Sequence, residues 1–277
     1  METMTNSTML NTEYPLTQDQ IDSYRRDGFI QLPDVLLGMD LEHFRESVES
    51  AVAEETAGDQ RKLSEKSNYE KIFTQRVNLW RRHSAVREFV LSRRFGNLAA
   101  RLSGHPARIW HDQALFKAPE EGAKTPWHQD AHYWPHQQKR HQITLWMALR
   151  DATIQNGCMS FLPGTQVMDT VPVIDLGNPK ELFDVAPQLK GLKPKTCELK
   201  AGSCTFHAGL TFHFAGPNRS NALREAFAII YMPDGTTYNS QKNHMITDGK
   251  PEYRHGEILK GEEFPVVSDE NLRLVPV

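Results

Sequence analysis

At 277 residues the chain is long enough to bury a sizeable core, as one large domain or two small ones. Its hydrophobic and charged fractions, 39% and 24%, are those of an ordinary globular protein, and a net charge of −3 gives no argument for nucleic acid or an anionic membrane as partner. Cys158, Cys197 and Cys204 are odd in number and lack CxxC spacing, which argues against a disulfide framework and reads as reduced thiols of a cytoplasmic protein.

Residues 1–14 are polar and read as a disordered leader, with no Lys or Arg and no apolar run of the secretory kind. Thr17-x-x-Gln20 is a capping box that opens a helix to about Arg26, stopped by Gly28. Phe29–Leu32 follows as a short strand, and Leu41, Phe44, Val48 and Val52 recur at helical spacing from Asp40 to about Glu55. Residues 58–68 are charged and read as a loop. Ser84 is placed to cap a helix carrying Val86, Phe89 and Val90, and a further helical piece with Leu98 and Leu102 ends at Gly104.

After Pro106 the pattern turns to strands. Residues 107–117 suit a strand buried on both faces, and further strands are expected over 143–149, 158–162, 202–206, 210–214 and 223–232, punctuated by Pro and Gly. Residues 165–198 have little β pattern and read as a long excursion near the sheet mouth, and the tail from Thr236 as irregular. No stretch approaches the ~20 apolar residues of a membrane helix. Helices first and many short strands after them predict an α+β protein with a mainly β core, a sandwich or barrel, as a single domain over 15–277.

The densest run of metal-capable and aromatic side chains is Thr125-Pro126-Trp127-His128-Gln129-Asp130-Ala131-His132-Tyr133-Trp134-Pro135. If His128 to Asp130 is extended, both side chains share a face about 6–7 Å apart along the strand and can reach one metal. His-x-carboxylate alone is a weak signal; His255-Gly256-Glu257 repeats it in the charged tail. The aromatic setting lifts His128 and Asp130. His213, in an apolar stretch with His207 six residues earlier, is the third candidate, and two His with one carboxylate leave three open positions and favour non-haem Fe(II). Arg224 opens the apolar run to Met232, where a charge is costly unless paired, and a guanidinium there suits capture of a carboxylate.

These residues resemble the phytanoyl-CoA dioxygenase family of Fe(II)/2-oxoglutarate oxygenases over roughly residues 17–232. The resemblance rests on the run from Pro126 to Pro135, on Asn156-Gly157-Cys158 with Leu162-Pro163-Gly164-Thr165, on the Asp27-Gly28-Phe29 start, and on His213, Asn218 and Arg224. It implies a double-stranded β-helix (a cupin-like jelly roll) with helices packed on one sheet. It also implies Fe(II) held by His128, Asp130 and His213, with 2-oxoglutarate and O2 consumed and succinate and CO2 released. Arg224 would meet the distal carboxylate of 2-oxoglutarate, with Trp146, Gln113 and Arg76 as further cosubstrate contacts, whereas Ala215 replaces a serine of close relatives. Halogenating relatives have a small residue where Asp130 stands, so the carboxylate points to hydroxylation of a small-molecule or acyl substrate; desaturation, epimerisation and ring formation need only a different fate of the substrate radical.

Each residue also has a plainer reading. Trp146 suits core packing, Gln113 an ordinary strand position, and Arg76 a surface salt bridge. His132, Tyr133 and Trp134 either line the substrate pocket or pack their loop, and His207 is either a substrate-facing base or a structural histidine. Lys117 reads as a solvated strand end, and Arg81-Arg82-His83 as a solvated face. A zinc-dependent hydrolase on the same His/Asp/His set would have no need of Arg224, and a metal-free jelly-roll binding module would not need all four residues intact. A regulatory 2-oxoglutarate sensor has the same residues as the oxygenase.

Overall fold

The computed structural model describes residues 9–119, 122–168, 172–242 and 244–275. Thr17 and Gln20 form the reciprocal capping box expected of them and start α1 (Gln18–Asp27). Gly28 ends it at φ 79°, where an added Cβ would lie 2.4 Å from the Thr211 hydroxyl oxygen. The chain turns there into β1 (Phe29–Leu32), then into α2 (Gly38–Thr56), β2 (Thr74–Val77) and the helices α3 (Leu79–Arg82), α4 (Ser84–Val90) and α5 (Arg93–Ser103). Ser84 does not cap α4; it is the first helical residue, and His83 at the cap position makes no side-chain cap bond.

Eight further strands complete two antiparallel sheets: β3 (Ala107–Lys117), β4 (Thr125–His128), β5 (Ile143–Ala148), β6 (Met159–Phe161), β7 (Lys195–Cys197), β8 (Cys204–Ala208), β9 (His213–Ala215) and β10 (Arg224–Pro233). The large sheet runs β1-β8-β5-β10-β3-β2 and the small one β4-β9-β6-β7. Period two divides each central strand between two cores. On β10, Phe227, Ile229 and Tyr231 pack under the helices with Phe44, Phe89 and Phe95, while Ala226, Ala228 and Ile230 face the small sheet. This is the jelly roll with helices on one sheet, and the space between the sheets holds the site.

The strand boundaries move where glycine intervenes. Gly202 takes φ 80° with an added Cβ only 1.9 Å from the Leu36 carbonyl oxygen, so β8 begins after it. Gly209 lies against Trp134 and Ala131, and the chain turns there before β9. Of the expected leader, residues 1–8 lie outside the described residues; in the rest, Leu10 and Tyr14 are buried while residues 11–13 are exposed. The excursion over 165–198 contributes β7 and a short helix, α6 (Leu182–Val185), and buries Ile174, Leu182 and Leu189 against Phe212. The tail is irregular in backbone but buries Leu259, Phe264 and Val267. All three cysteines are buried and free. Among the described residues no helix is long and apolar enough to cross a membrane.

Candidate active site

Register in the small sheet builds the centre: His128 on β4 pairs directly with His213 on β9, and their rings lie 4.1 Å apart. The His128 Nδ1–H donates to the Pro126 carbonyl (2.7 Å) and the His213 Nδ1–H to the Thr211 carbonyl (3.0 Å), so each ring is held with its Nε2 turned toward Asp130. Asp130 is not on the strand as period two would require. It opens a 3-10 turn (Asp130–His132), and the turn rather than the pleat swings its carboxylate back to the two rings. Its Oδ1 lies 3.3 Å from His128 Nε2 and 3.6 Å from His213 Nε2. Among the described residues these three are the group whose ligand atoms, all within 4.8 Å of one another, suit a metal ion.

The charge state agrees with that use. Burial alone would raise the Asp130 pKa, but the imidazoles of His213, His128 and His207 hold its carboxyl well below the ordinary range. Burial, with His128 alongside, drives the His213 pKa far down, so that ring is neutral. The two Nε2 atoms and the Asp130 carboxylate converge on one point, where a bound cation would take the place of any ring proton that bridges them. The second carboxylate oxygen, Oδ2, is approached by His207 Nε2 (3.4 Å) and the Thr144 hydroxyl (3.5 Å), which leaves Oδ1 for the metal.

Arg224 is 2% exposed, stacked over Trp146 at 5.2 Å. Among the described residues no acid pairs with it, and its Nε and one terminal nitrogen have no hydrogen-bond partner. Burial pushes its pKa down to about 9. Opposite it in the β3–β10 register is Lys117, which is fully buried rather than a solvated strand end, because the chain after β3 folds back over it. Its Nζ donates to the Ala123 carbonyl and to the Thr125 hydroxyl oxygen (3.1 Å), so the Thr125 hydrogen is free to point into the cavity.

One cavity of about 580 Å³, ordinary for a small-molecule site, joins these groups. Gln113, Tyr133, Trp134, Trp146, His207 and Arg224 line it together with the His–Asp–His set. Two expected contacts do not line it. On β2, Gln75 and Val77 face the cavity, so alternation turns Arg76 the other way, toward the Glu55 carbonyl (3.4 Å). His132 is turned aside to the Gln129 side chain (3.0 Å). The sequence reading missed Thr125, Thr144, His111 and His244, which also line the cavity. His111 was accessible to it, standing two residues from Gln113 on the same strand face. His244 carries no such signal, because its tail has no period.

The profile of the family described as phytanoyl-CoA dioxygenase (PhyH) matches residues 24–226. A methylphosphonate hydroxylase of Gimesia maris is 25% identical over 260 residues, 91% of this chain and 93% of that protein. Among solved structures, the non-heme α-ketoglutarate dependent carbocyclase SnoK from nogalamycin biosynthesis superposes with a TM-score of 0.80 at 27% identity, covering 92% of this chain and 97% of SnoK. The epimerase SnoN, in complex with Fe3+, α-ketoglutarate and nogalamycin RO, superposes with a TM-score of 0.75 at 26% identity over 90% and 97% of the two chains. The zinc hydrolase and the metal-free module find no support among these relatives. With a family match over most of its length and a site whose donors suit iron beside a buried arginine that has no acid partner among the described residues, the chain belongs to the phytanoyl-CoA dioxygenase family and is a non-haem Fe(II)/2-oxoglutarate-dependent oxygenase.

Proposed function

We propose that the chain hydroxylates an unactivated C–H bond of a small organic molecule, consuming O2 and 2-oxoglutarate and releasing succinate and CO2. The observation that carries this reading is the coexistence, in one cavity, of the His128–Asp130–His213 set and the buried, acid-free guanidinium of Arg224. When bound, Fe(II) with 2-oxoglutarate supplies the oxidising chemistry. The protein's own contribution is positioning. His128, Asp130 and His213 hold the metal, and His207 and Thr144 anchor the Asp130 Oδ2 so that Oδ1 stays on it. Arg224 and the Lys117-oriented Thr125 hydroxyl receive the distal carboxylate of 2-oxoglutarate, with Trp146 as the wall behind it. Gln113, its side-chain carbonyl already accepting from Gln75 (2.5 Å), has its amide hydrogens to offer the cosubstrate. Tyr133 and Trp134 enclose the substrate and keep water out.

The intact Asp130 supports hydroxylation, since it occupies a metal position that a second anion would otherwise take. The relatives named carbocyclase and epimerase make the outcome of the reaction the point to test. Anaerobic titration of the protein with Fe(II) and then 2-oxoglutarate should develop a visible charge-transfer absorption that His213→Ala abolishes. Turnover of a substrate found by succinate release, run under isotopically labelled O2, should add one labelled oxygen to the product. Succinate release with a cyclised, desaturated or epimerised product and no label would refute hydroxylation.

A further inference from the structure

The substrate end of the cavity is unusual in its charges. Among the described residues that line it, Arg224 is the one lysine or arginine, and it sits at the cosubstrate end. The acids are Asp130, committed to the metal, and Asp175, exposed at the rim with Oδ1 accepting from the backbone N–H of Gly177 and Asn178 (2.9 and 3.3 Å). The wall there includes Val77, Tyr69, Tyr133, Trp134, Ile174 and Met245, together with Gln75, whose side chain is taken up by Tyr69 and Gln113, and two histidines, His111 and His244, buried at its far side.

Local bonding sets those two rings in opposite hydrogen-bonding senses. The His111 Nδ1–H donates to the Asp112 carbonyl (3.3 Å), which leaves Nε2 as an acceptor. His244 Nδ1 instead accepts from the backbone N–H of Ile246 (3.3 Å), which leaves Nε2–H as a donor. Among the described residues no protein group hydrogen-bonds to either Nε2. The ring centroids are 6.0 Å apart, and Trp110 packs on both, 6.1 Å from His111 and 5.1 Å from His244. Both rings are neutral: burial, with His244 beside it, holds His111 down to about 3, and burial holds His244 down to about 4.

We infer that this site, taken as the oxygenase site proposed above, accepts an uncharged, largely apolar substrate and recognises one hydroxyl on it, held between His111 and His244. A hydroxyl is the small group that both accepts and donates, and so satisfies both rings at once. A carboxylate or phosphonate in the same place would be buried with no cation beside it among the described lining residues, since Lys139 behind His244 does not line the cavity, and with the His111 lone pair against it. The inference separates this chain from the relative named for methylphosphonate.

The test uses one hydrocarbon frame with different polar groups, bound to the anaerobic Fe(II)·2-oxoglutarate protein and followed by calorimetry: menthol, the ketone menthone, and menthyl phosphate. Menthol should bind best, menthone about tenfold more weakly because one neutral hydrogen bond is lost, and menthyl phosphate more weakly still. His111→Phe should remove the preference for menthol over menthone, and His244→Phe should weaken both. His244→Gln, which keeps an N–H donor, should restore menthol binding. Phosphate binding equal to or tighter than menthol, an unchanged preference in both variants, or no menthol binding at millimolar concentration would overturn the inference. Iron and 2-oxoglutarate affinities measured in the same samples separate the two readings: their absence in the unmodified protein would count against the oxygenase site itself, and their retention in the variants shows that the fold and the cosubstrate end are intact.

Discussion

Replacing Arg224 by methionine separates a structural arginine from one that waits for a ligand. Arg224 is 2% exposed, has no acid partner among the described residues, and leaves two nitrogens without a bond, so in the ligand-free protein it is a cost. The fall of its pKa from the ordinary 12.5 to about 9 bounds that cost at about 5 kcal/mol. Because the folded-state value lies below the unfolded one, the cost is fully present at all pH values below 9. Swapping buried charge for apolar volume typically returns about 1–4 kcal/mol, so Arg224→Met should raise the melting temperature of the ligand-free protein by several degrees, at about 2–4 °C per kcal/mol for a chain of this size. The same change should weaken 2-oxoglutarate by about 150-fold, the consequence of losing about 3 kcal/mol from a desolvated charge pair. Thermal unfolding with and without 2-oxoglutarate, and calorimetry on the anaerobic Fe(II) protein, read both effects. In the unmodified protein the cosubstrate should raise the melting temperature by mass action, and the variant should need about 150-fold more cosubstrate for the same rise. An Arg224→Met protein that is less stable without ligand and still binds 2-oxoglutarate normally would refute the reasoning.

Three further expectations follow from neighbouring groups. His207→Phe removes a contact to Asp130 Oδ2 without touching a metal-facing atom, and Fe(II) affinity measured by chelator competition should fall about 10–100-fold, with an unchanged value counting against the anchoring role. Burial, with Arg224 nearby, lowers the Lys117 pKa from 10.5 to about 6, so between those values the folded protein holds fewer protons than the unfolded one and stability rises with pH. Denaturant titrations from pH 6 to 9 should therefore show the unmodified protein gaining on Lys117→Met as pH increases, by at most about 1.4 kcal/mol per pH unit, and a constant difference would exclude the effect. Gly157 has φ 90° and an added Cβ would lie 2.4 Å from the Gly216 carbonyl oxygen, so Gly157→Ala should cost more than about 3 kcal/mol, visible as a large fall in melting temperature.

Much of this protein was legible in the order of its residues, because the signals are local. The capping box at Thr17 and Gln20, the αL stop at Gly28 and the apolar period of α2 each depend on a few neighbouring residues, and all three appear in the fold. The residues of the metal group were legible by type: two imidazoles and a carboxylate beside aromatics admit few uses, and a lone arginine at the head of an apolar strand asks for an anion. Their geometry was not. Asp130 reaches the histidines from a turn, because Tyr133 N bonds back to its carbonyl and closes a 3-10 helix where a strand was expected.

What tertiary structure alone decided is which side chains face the cavity and what surrounds them. Strand alternation on β2 sent Arg76 outward and Gln75 inward, a one-residue matter that composition cannot resolve. Burial of Lys117 depends on the segment after β3 folding back across it, and the tail supplies His244 and Met245 although nothing in its sequence is periodic. The residue types that permit the chemistry are a property of the chain order. The register that opposes His128 to His213, and the long-range packing that brings His244 to His111 across more than a hundred residues, exist only once both sheets have closed, because hydrogen bonding between strands and burial between sheets depend on distances that no local sequence encodes.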